Sequence, residues 1–169
     1  MRVLGVDPGL RITGYAVVEF VDGSFDPQLV EAGAIKLRER DSVADRLVEL
    51  EGDLMGVIDS LRPDHCCVEK LFAHYKRPVT AAIMGHGRGV VLLCARRAGL
   101  TLHELNATEI KKAMTGNGHA SKQQVALSVA AQLGLGEPPS PVDVTDALAI
   151  AMTDGRRVMI EASNASATT

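Results

Sequence analysis

Apolar positions along this chain change their spacing several times, and each change marks an element. Val3, Leu4 and Val6 form a short apolar run of the kind buried inside a sheet, and Asp7 ends it before Pro8-Gly9 forces a turn. A carboxylate therefore stands at the tip of a buried strand, and Gly5 within the run lets a backbone or ligand approach closely. Ile12 to Phe20 is rich in β-branched and aromatic residues and leads to Asp22-Gly23, and Gln28 to Leu37 reads as the next strand. These three make a hairpin and then a meander. Ser42 supplies an N-cap, and from there the period lengthens. Val43, Leu47, Leu50, Leu54, Val57 or Ile58, and Leu61 fall three or four apart, on one face of a long helix that Arg62-Pro63-Asp64 stops.

His65-Cys66-Cys67-Val68 is short and largely apolar, a fourth strand that again ends in a carboxylate, Glu69. Lys70 to Pro78 is a loop, and Thr80 to Arg97 is helical despite Gly85, Gly87 and Gly89. Each of these glycines costs roughly 1 kcal/mol relative to alanine, so tight packing or a ligand's approach must compensate. Leu100 to Leu105 is a fifth strand, Thr108 to Met114 and Ser121 to Leu133 are helices, and Gly134 to Pro141 is a Pro/Gly-rich connector. Asp143 to Thr153 is the last helix. Residues 1–157 are expected to form one domain, with 158–169 a tail without fixed structure. Three strands in a row, then helix, strand, helix, strand and helices predict an α/β fold on a mixed sheet.

A length of 169 residues suits one domain with a real core. Apolar residues make up 46% and charged residues 23%, an ordinary globular composition. The N-terminus enters a strand at once, so no signal peptide is expected, and no apolar run reaches the ~18 residues of a membrane span. Cys66, Cys67 and Cys94 lack metal-ligand spacing and read as buried thiols of a reducing cytoplasm, the first two on opposite faces of one strand. The net charge of −3 is unevenly spread. Residues 1–69 carry −7, residues 70–122 carry +7, and the remainder carries −3. A basic middle between acidic flanks can present one face to phosphates.

The candidate chemistry lies in four carboxylates. If the strands ending in Asp7 and Glu69 are parallel neighbours, joined by the right-handed crossover of the first long helix, both side chains emerge at one sheet edge. Asp143 and Asp146 share a face of the last helix. They precede Ala147-Leu148-Ala149-Ile150-Ala151, a small apolar run suited to close packing on the sheet. Taken singly, an aspartate before Pro-Gly is a common turn residue, and acids at a helix start satisfy its dipole. Together they form an oxygen-only ligand set suited to Mg²⁺ or Mn²⁺. Two such ions about 3.5–4 Å apart can activate water and stabilise the leaving oxygen in phosphodiester hydrolysis.

The stretch Val3 to Tyr15, Val68-Glu69-Lys70-Leu71-Phe72, Ile110-Lys111 with Thr115-Gly116-Asn117-Gly118, Lys122-Gln123-Gln124-Val125 and Asp143 to Ala151 together resemble the RuvC family of bacterial crossover (Holliday) junction endonucleases. The match runs in order over about residues 1–155. The resemblance implies a ribonuclease-H-like fold: a five-stranded mixed sheet, strands 1–3 antiparallel and 4 and 5 parallel to the first, flanked by helices. It implies a cytoplasmic homodimer that nicks two strands of a four-way DNA junction during recombination and repair. It also implies dependence on Mg²⁺ or Mn²⁺, two ions per site, and a branch-migration complex of RuvA and RuvB as partner. It places the catalytic acids on Asp7, Glu69, Asp143 and Asp146, the active-site lysines on Lys111 and Lys122, and the junction-inserting aromatic on Phe72. An aromatic on a loop can stack on an unpaired base, worth ~1–3 kcal/mol per base. Tyr75, Lys76, Arg77, Arg88 and Lys112 are the further DNA-contact candidates, with a solvated lysine the simpler reading of Lys112. Met84-Gly85-His86-Gly87-Arg88-Gly89 departs from the family's run, leaving His86 without a role while Arg88 keeps its place.

Two decoys fail. Gly116 to Lys122 lacks the glycine and the Ser/Thr of a phosphate loop, and Gly85 to Gly89 lacks the spacing of a dinucleotide site. The five histidines show no ligand spacing and read as surface or satisfied residues. The rival readings are an actin-like or sugar-kinase-like nucleotide-binding fragment, a non-catalytic dimeric junction binder, and a ribonuclease-H-like nuclease acting on RNA. The first needs a second domain that 169 residues cannot supply.

Overall fold

A computed structural model describes residues 1–21, 23–70 and 78–167 of the chain. Strand β1 (Arg2–Asp7) pairs antiparallel with β2 (Ile12–Glu19), which pairs antiparallel with β3 (Gln28–Lys36). On its other side β1 pairs parallel with β4 (His65–Glu69), and β4 pairs parallel with β5 (Thr101–Leu105), giving the order β3-β2-β1-β4-β5. The crossover from the meander to β4 is α1 (Val43–Leu61), and that from β4 to β5 includes α2 (Pro78–Arg97). Three helices follow: α3 (Ala107–Thr115), α4 (Lys122–Gln132) and α5 (Val142–Ala167). This is the expected ribonuclease-H-like α/β arrangement, with β4 and β5 parallel to β1.

Alternation along the strands sorts side chains into two cores. Leu4, Val6, Val17 and Cys66 pack on one face with Leu50, Leu54 and Ile58 of α1 and with Val91 and Cys94 of α2. Val3, Ala16, Val18 and Cys67 pack on the other with Val144, Ala147, Leu148 and Ala151 of α5, together with residues of α3 and α4. Cys66 and Cys67 thus face opposite ways, as expected, and all three cysteines are free and buried. Ser42 caps α1 through a hydrogen bond from the Asp45 N–H at 3.1 Å, and Arg62 ends the helix in the left-handed region at φ 46°.

α5 lies directly on the centre of the sheet because glycine permits it. A Cβ at Gly5 would overlap the carbonyl oxygen of Ala147 and crowd the backbone of Ala151. On α2, Gly87 is buried against Leu10, whereas Gly89 faces open space, so close packing accounts for the first and not the second.

One boundary differs from expectation. The last helix does not end at Thr153: α5 continues to Ala167. Arg156 reaches back to Gln132 Oε1 at 2.6 Å and to the Phe25 carbonyl at 3.3 Å, and Met159 packs against the core. These tertiary contacts, added to Arg, Met, Glu and Ala residues that favour helix, carry the helix onward. The histidines differ too. The parallel register sets His103 beside Cys67, two residues from His65 on the same face, so His65 and His103 meet although they are far apart in sequence.

Candidate active site

Asp7 and Glu69 are the last residues of two adjacent parallel strands. The alternation that turns Gly5 and Cys67 toward α5 turns these two carboxyls the same way. Gly14 sits opposite Asp7 in the β1–β2 ladder, and a Cβ there would overlap the carbonyl of Asp143. The first turn of α5 therefore presses against β2 and delivers Asp143 and Asp146 to the strand ends.

Two lysines close the group. Asn106 opens α3, its N–H held by the Glu109 carboxylate at 2.7 Å, and this helix carries Lys111. Ser121 and Gln124 form a reciprocal cap at the start of α4, which fixes Lys122 as its first residue. Lys122 Nζ donates to Asp146 Oδ2 at 2.6 Å. All four carboxylates and both lysines line one cleft of about 1160 Å³.

Crowding shows in the titration of these groups. Burial first, then the charges of Asp146, Asp143 and Glu69, push the Asp7 carboxyl up to about 7, and Lys122 acts in the opposite direction. Glu69 is likewise raised by burial and by Asp146, with Lys122 and Lys111 pulling it down. Burial works against the Lys122 ammonium, yet its hydrogen bond to Asp146 and the charges of Asp146, Asp7 and Asp143 hold its pKa above the ordinary lysine value. A divalent cation relieves what burial and neighbouring acids impose on Asp7 and Glu69, and an all-oxygen donor set fits Mg²⁺ or Mn²⁺.

The expected DNA contacts divide. Lys111 and Lys122 line the cleft, while Lys112 is exposed outside it. Arg88 points elsewhere than expected: its Nε donates to the Glu69 carbonyl at 3.3 Å, its Nη2 pairs with Glu104, and its side chain is 14% exposed. It braces the end of β4 rather than projecting toward a ligand. Phe72, Tyr75, Lys76 and Arg77 lie outside the described residues. The structure adds Arg46, which lines the cleft from the start of α1 and donates to the Leu10 carbonyl at 2.8 Å. Three residues after Val43 and four before Leu50, Arg46 falls at the margin of the apolar face of α1, and the turn after β1 folding back over that helix gives it a place here.

A family model described as "Crossover junction endodeoxyribonuclease RuvC" matches residues 3–154. A protein of that name from Rhodopirellula baltica is 45% identical over 152 residues, covering 89% of this chain and 83% of its own length. One from Heliobacterium modesticaldum is 44% identical over 153 residues, covering 90% and 92% respectively. Among solved structures, Thermus thermophilus RuvC in complex with a Holliday junction substrate superimposes with a TM-score of 0.87 at 32% identity, over 95% of this chain and 96% of that one.

Proposed function

Because the chain belongs to the RuvC family of crossover junction endodeoxyribonucleases, we propose that it resolves four-way DNA junctions by nicking two strands with Asp7, Glu69, Asp143 and Asp146. It is a nuclease, a hydrolase of DNA. The observation that carries the residue assignment is the convergence of these four acids with Lys111 and Lys122 in one cleft. Residues 1–157 form the nuclease domain in this reading, acting as a homodimer so that two sites face two strands, with a branch-migration complex as partner.

The residues have separable roles. Asp7 and Glu69, fixed at strand ends, and Asp143 and Asp146, on a helix held by Gly5 and Gly14, are the residues that would hold Mg²⁺ or Mn²⁺. Bound there, such an ion would supply an acidified water and offset the charge that develops on the phosphate. Lys122 orients the Asp146 carboxylate, and with Lys111 it acts against the upward shift that burial and Asp146 impose on Glu69. Both lysines line the cleft, and in this reading they stabilise the charge added to the scissile phosphate. Phe72, Tyr75, Lys76, Arg77 and Lys112 contact the junction in this reading, with Phe72 stacking on an unpaired base. Arg88 holds the backbone of Glu69 in place.

The test is incubation with a labelled four-way junction and a matched linear duplex, in Mg²⁺, Mn²⁺ or chelator. Paired nicks confined to the junction and dependent on metal are expected, with D7N binding the junction but not cutting it. Junction binding without any cleavage would instead identify a non-catalytic binder, and normal cutting by D7N would remove Asp7 from the site.

A further inference from the structure

Further along its inner face, α5 meets the sheet through side chains that the cleavage reaction does not use. His65 opens β4, and His103 stands in β5 level with Cys67. Asp154, fully buried on α5, faces both histidines. Its Oδ2 lies 2.8 Å from His103 Nδ1, and its Oδ1 accepts from Arg157 Nη2 at 2.7 Å. The two imidazole rings have centroids 5.3 Å apart. One ligand atom from each of His65, His103 and Asp154 lies within 4.8 Å of the other two. The Nδ1 atom of His65 is buried with no hydrogen-bond partner among the described residues. Strand and helix rises put the cluster about 13 Å from Glu69 and about 12 Å from Asp146, beyond the cleft.

We propose that His65, His103 and Asp154 form a second cation site, selective for a borderline transition metal of the zinc class, that pins α5 to β4 and β5. Two imidazoles and one carboxylate are the donors such an ion prefers, whereas Mg²⁺ favours oxygen. The catalytic acids differ in both respects: they offer oxygen alone, and no three of the described acids there bring ligand atoms within the same 4.8 Å. Zinc–nitrogen bonds of about 2.0–2.1 Å put tetrahedral ligands about 3.3 Å apart. The three side chains reach that spacing by small rotations, with His103 and Asp154 parting slightly as the ion replaces the proton they share. Arg157 orients the carboxylate from behind and leaves Oδ2 to the ion, the part an outer partner plays at metal centres. The helix so pinned is the one that carries Asp143 and Asp146.

Full-length protein is titrated with Co²⁺ as a spectroscopic probe and with Zn²⁺, both under millimolar Mg²⁺ that occupies hard-ion sites. The expected result is a visible Co²⁺ absorption band saturating at one ion per chain, and a melting temperature raised several degrees by Zn²⁺. H103Q and H65Q are expected to lose the band and the shift, while H119Q and D7N keep both. Circular dichroism checks that the variants fold; H65Q, whose Nδ1 makes no bond to lose, remains decisive if H103Q does not fold. No band in the wild type, or an unchanged band and stoichiometry in H65Q, overturns the proposal.

Discussion

The carboxyl of Asp7 is a measurable liability when no cation is bound. Burial and the neighbouring acids raise it from 3.8 to about 7. A folded-state pKa above the unfolded value means the native state binds the proton more tightly. Stability therefore falls as pH rises from about 4 to about 7 and is flat beyond. Asp7→Asn removes the charge while keeping the shape. In chelator it is expected to raise unfolding free energy by roughly 1–3 kcal/mol near pH 8 and to leave it unchanged near pH 3. Urea melts of both proteins at the two pH values check this, and a gap independent of pH would refute the account. Added Mg²⁺ should stabilise the wild type near pH 8 far more than the variant, because the variant lacks the repulsion that the ion relieves.

Helix α5 acts as the bar to which the site is fastened, and its seat is made of absent side chains. Gly5 lies under Ala147 and Ala151, and Gly14 lies under Asp143. Gly14→Ala forces backbone against backbone, with no flexible group to yield. It is expected to destabilise the protein by about 2–4 kcal/mol and to depress cleavage further still, since it displaces Asp143 directly. Gly56→Ala provides the contrast. Gly56 is an exposed position inside α1 with nothing within 4 Å of the added methyl, so alanine should stabilise by about 0.5–1 kcal/mol. Urea midpoints of the two variants should move in opposite directions. Equal shifts would mean that helix propensity, and not the seating of α5, governs the response at Gly14.

The chain as a unit leaves an unpartnered surface on α2. Leu93 is 46% exposed, and Gly89, one turn before it on the same face, meets open space among the described residues. A second copy packed along this face would cover both, and a small residue allows such close approach. Leu93→Asp is expected to convert a sedimenting dimer into a monomer at micromolar concentration. The monomer should cut junctions slowly and on one strand at a time. A wild type that sediments as a monomer in the presence of junction would remove α2 as the interface. Among the described residues no helix is long and apolar enough to cross a membrane.

Much of this architecture was legible in the order of residues. Apolar alternation and helical spacing are local properties, so the five strands, the Ser42 cap and the carboxylates at two strand ends could be read without a fold. The i, i+3 spacing of Asp143 and Asp146 put them on one helical face by geometry alone. What depended on the tertiary structure was every relation between elements. Arg88 turns to the Glu69 carbonyl because α2 packs beside the end of β4. α5 outruns its expected end because Arg156 and Met159 find distant partners. His65, His103 and Asp154 converge because a parallel register and a helix seated on glycine bring three remote segments together. The sequence by itself determined which residues alternate, cap and turn, since those preferences act within a few positions of the chain. Only the folded sheet decided which side chains share a space, because register and helix seating are set by packing across the whole molecule.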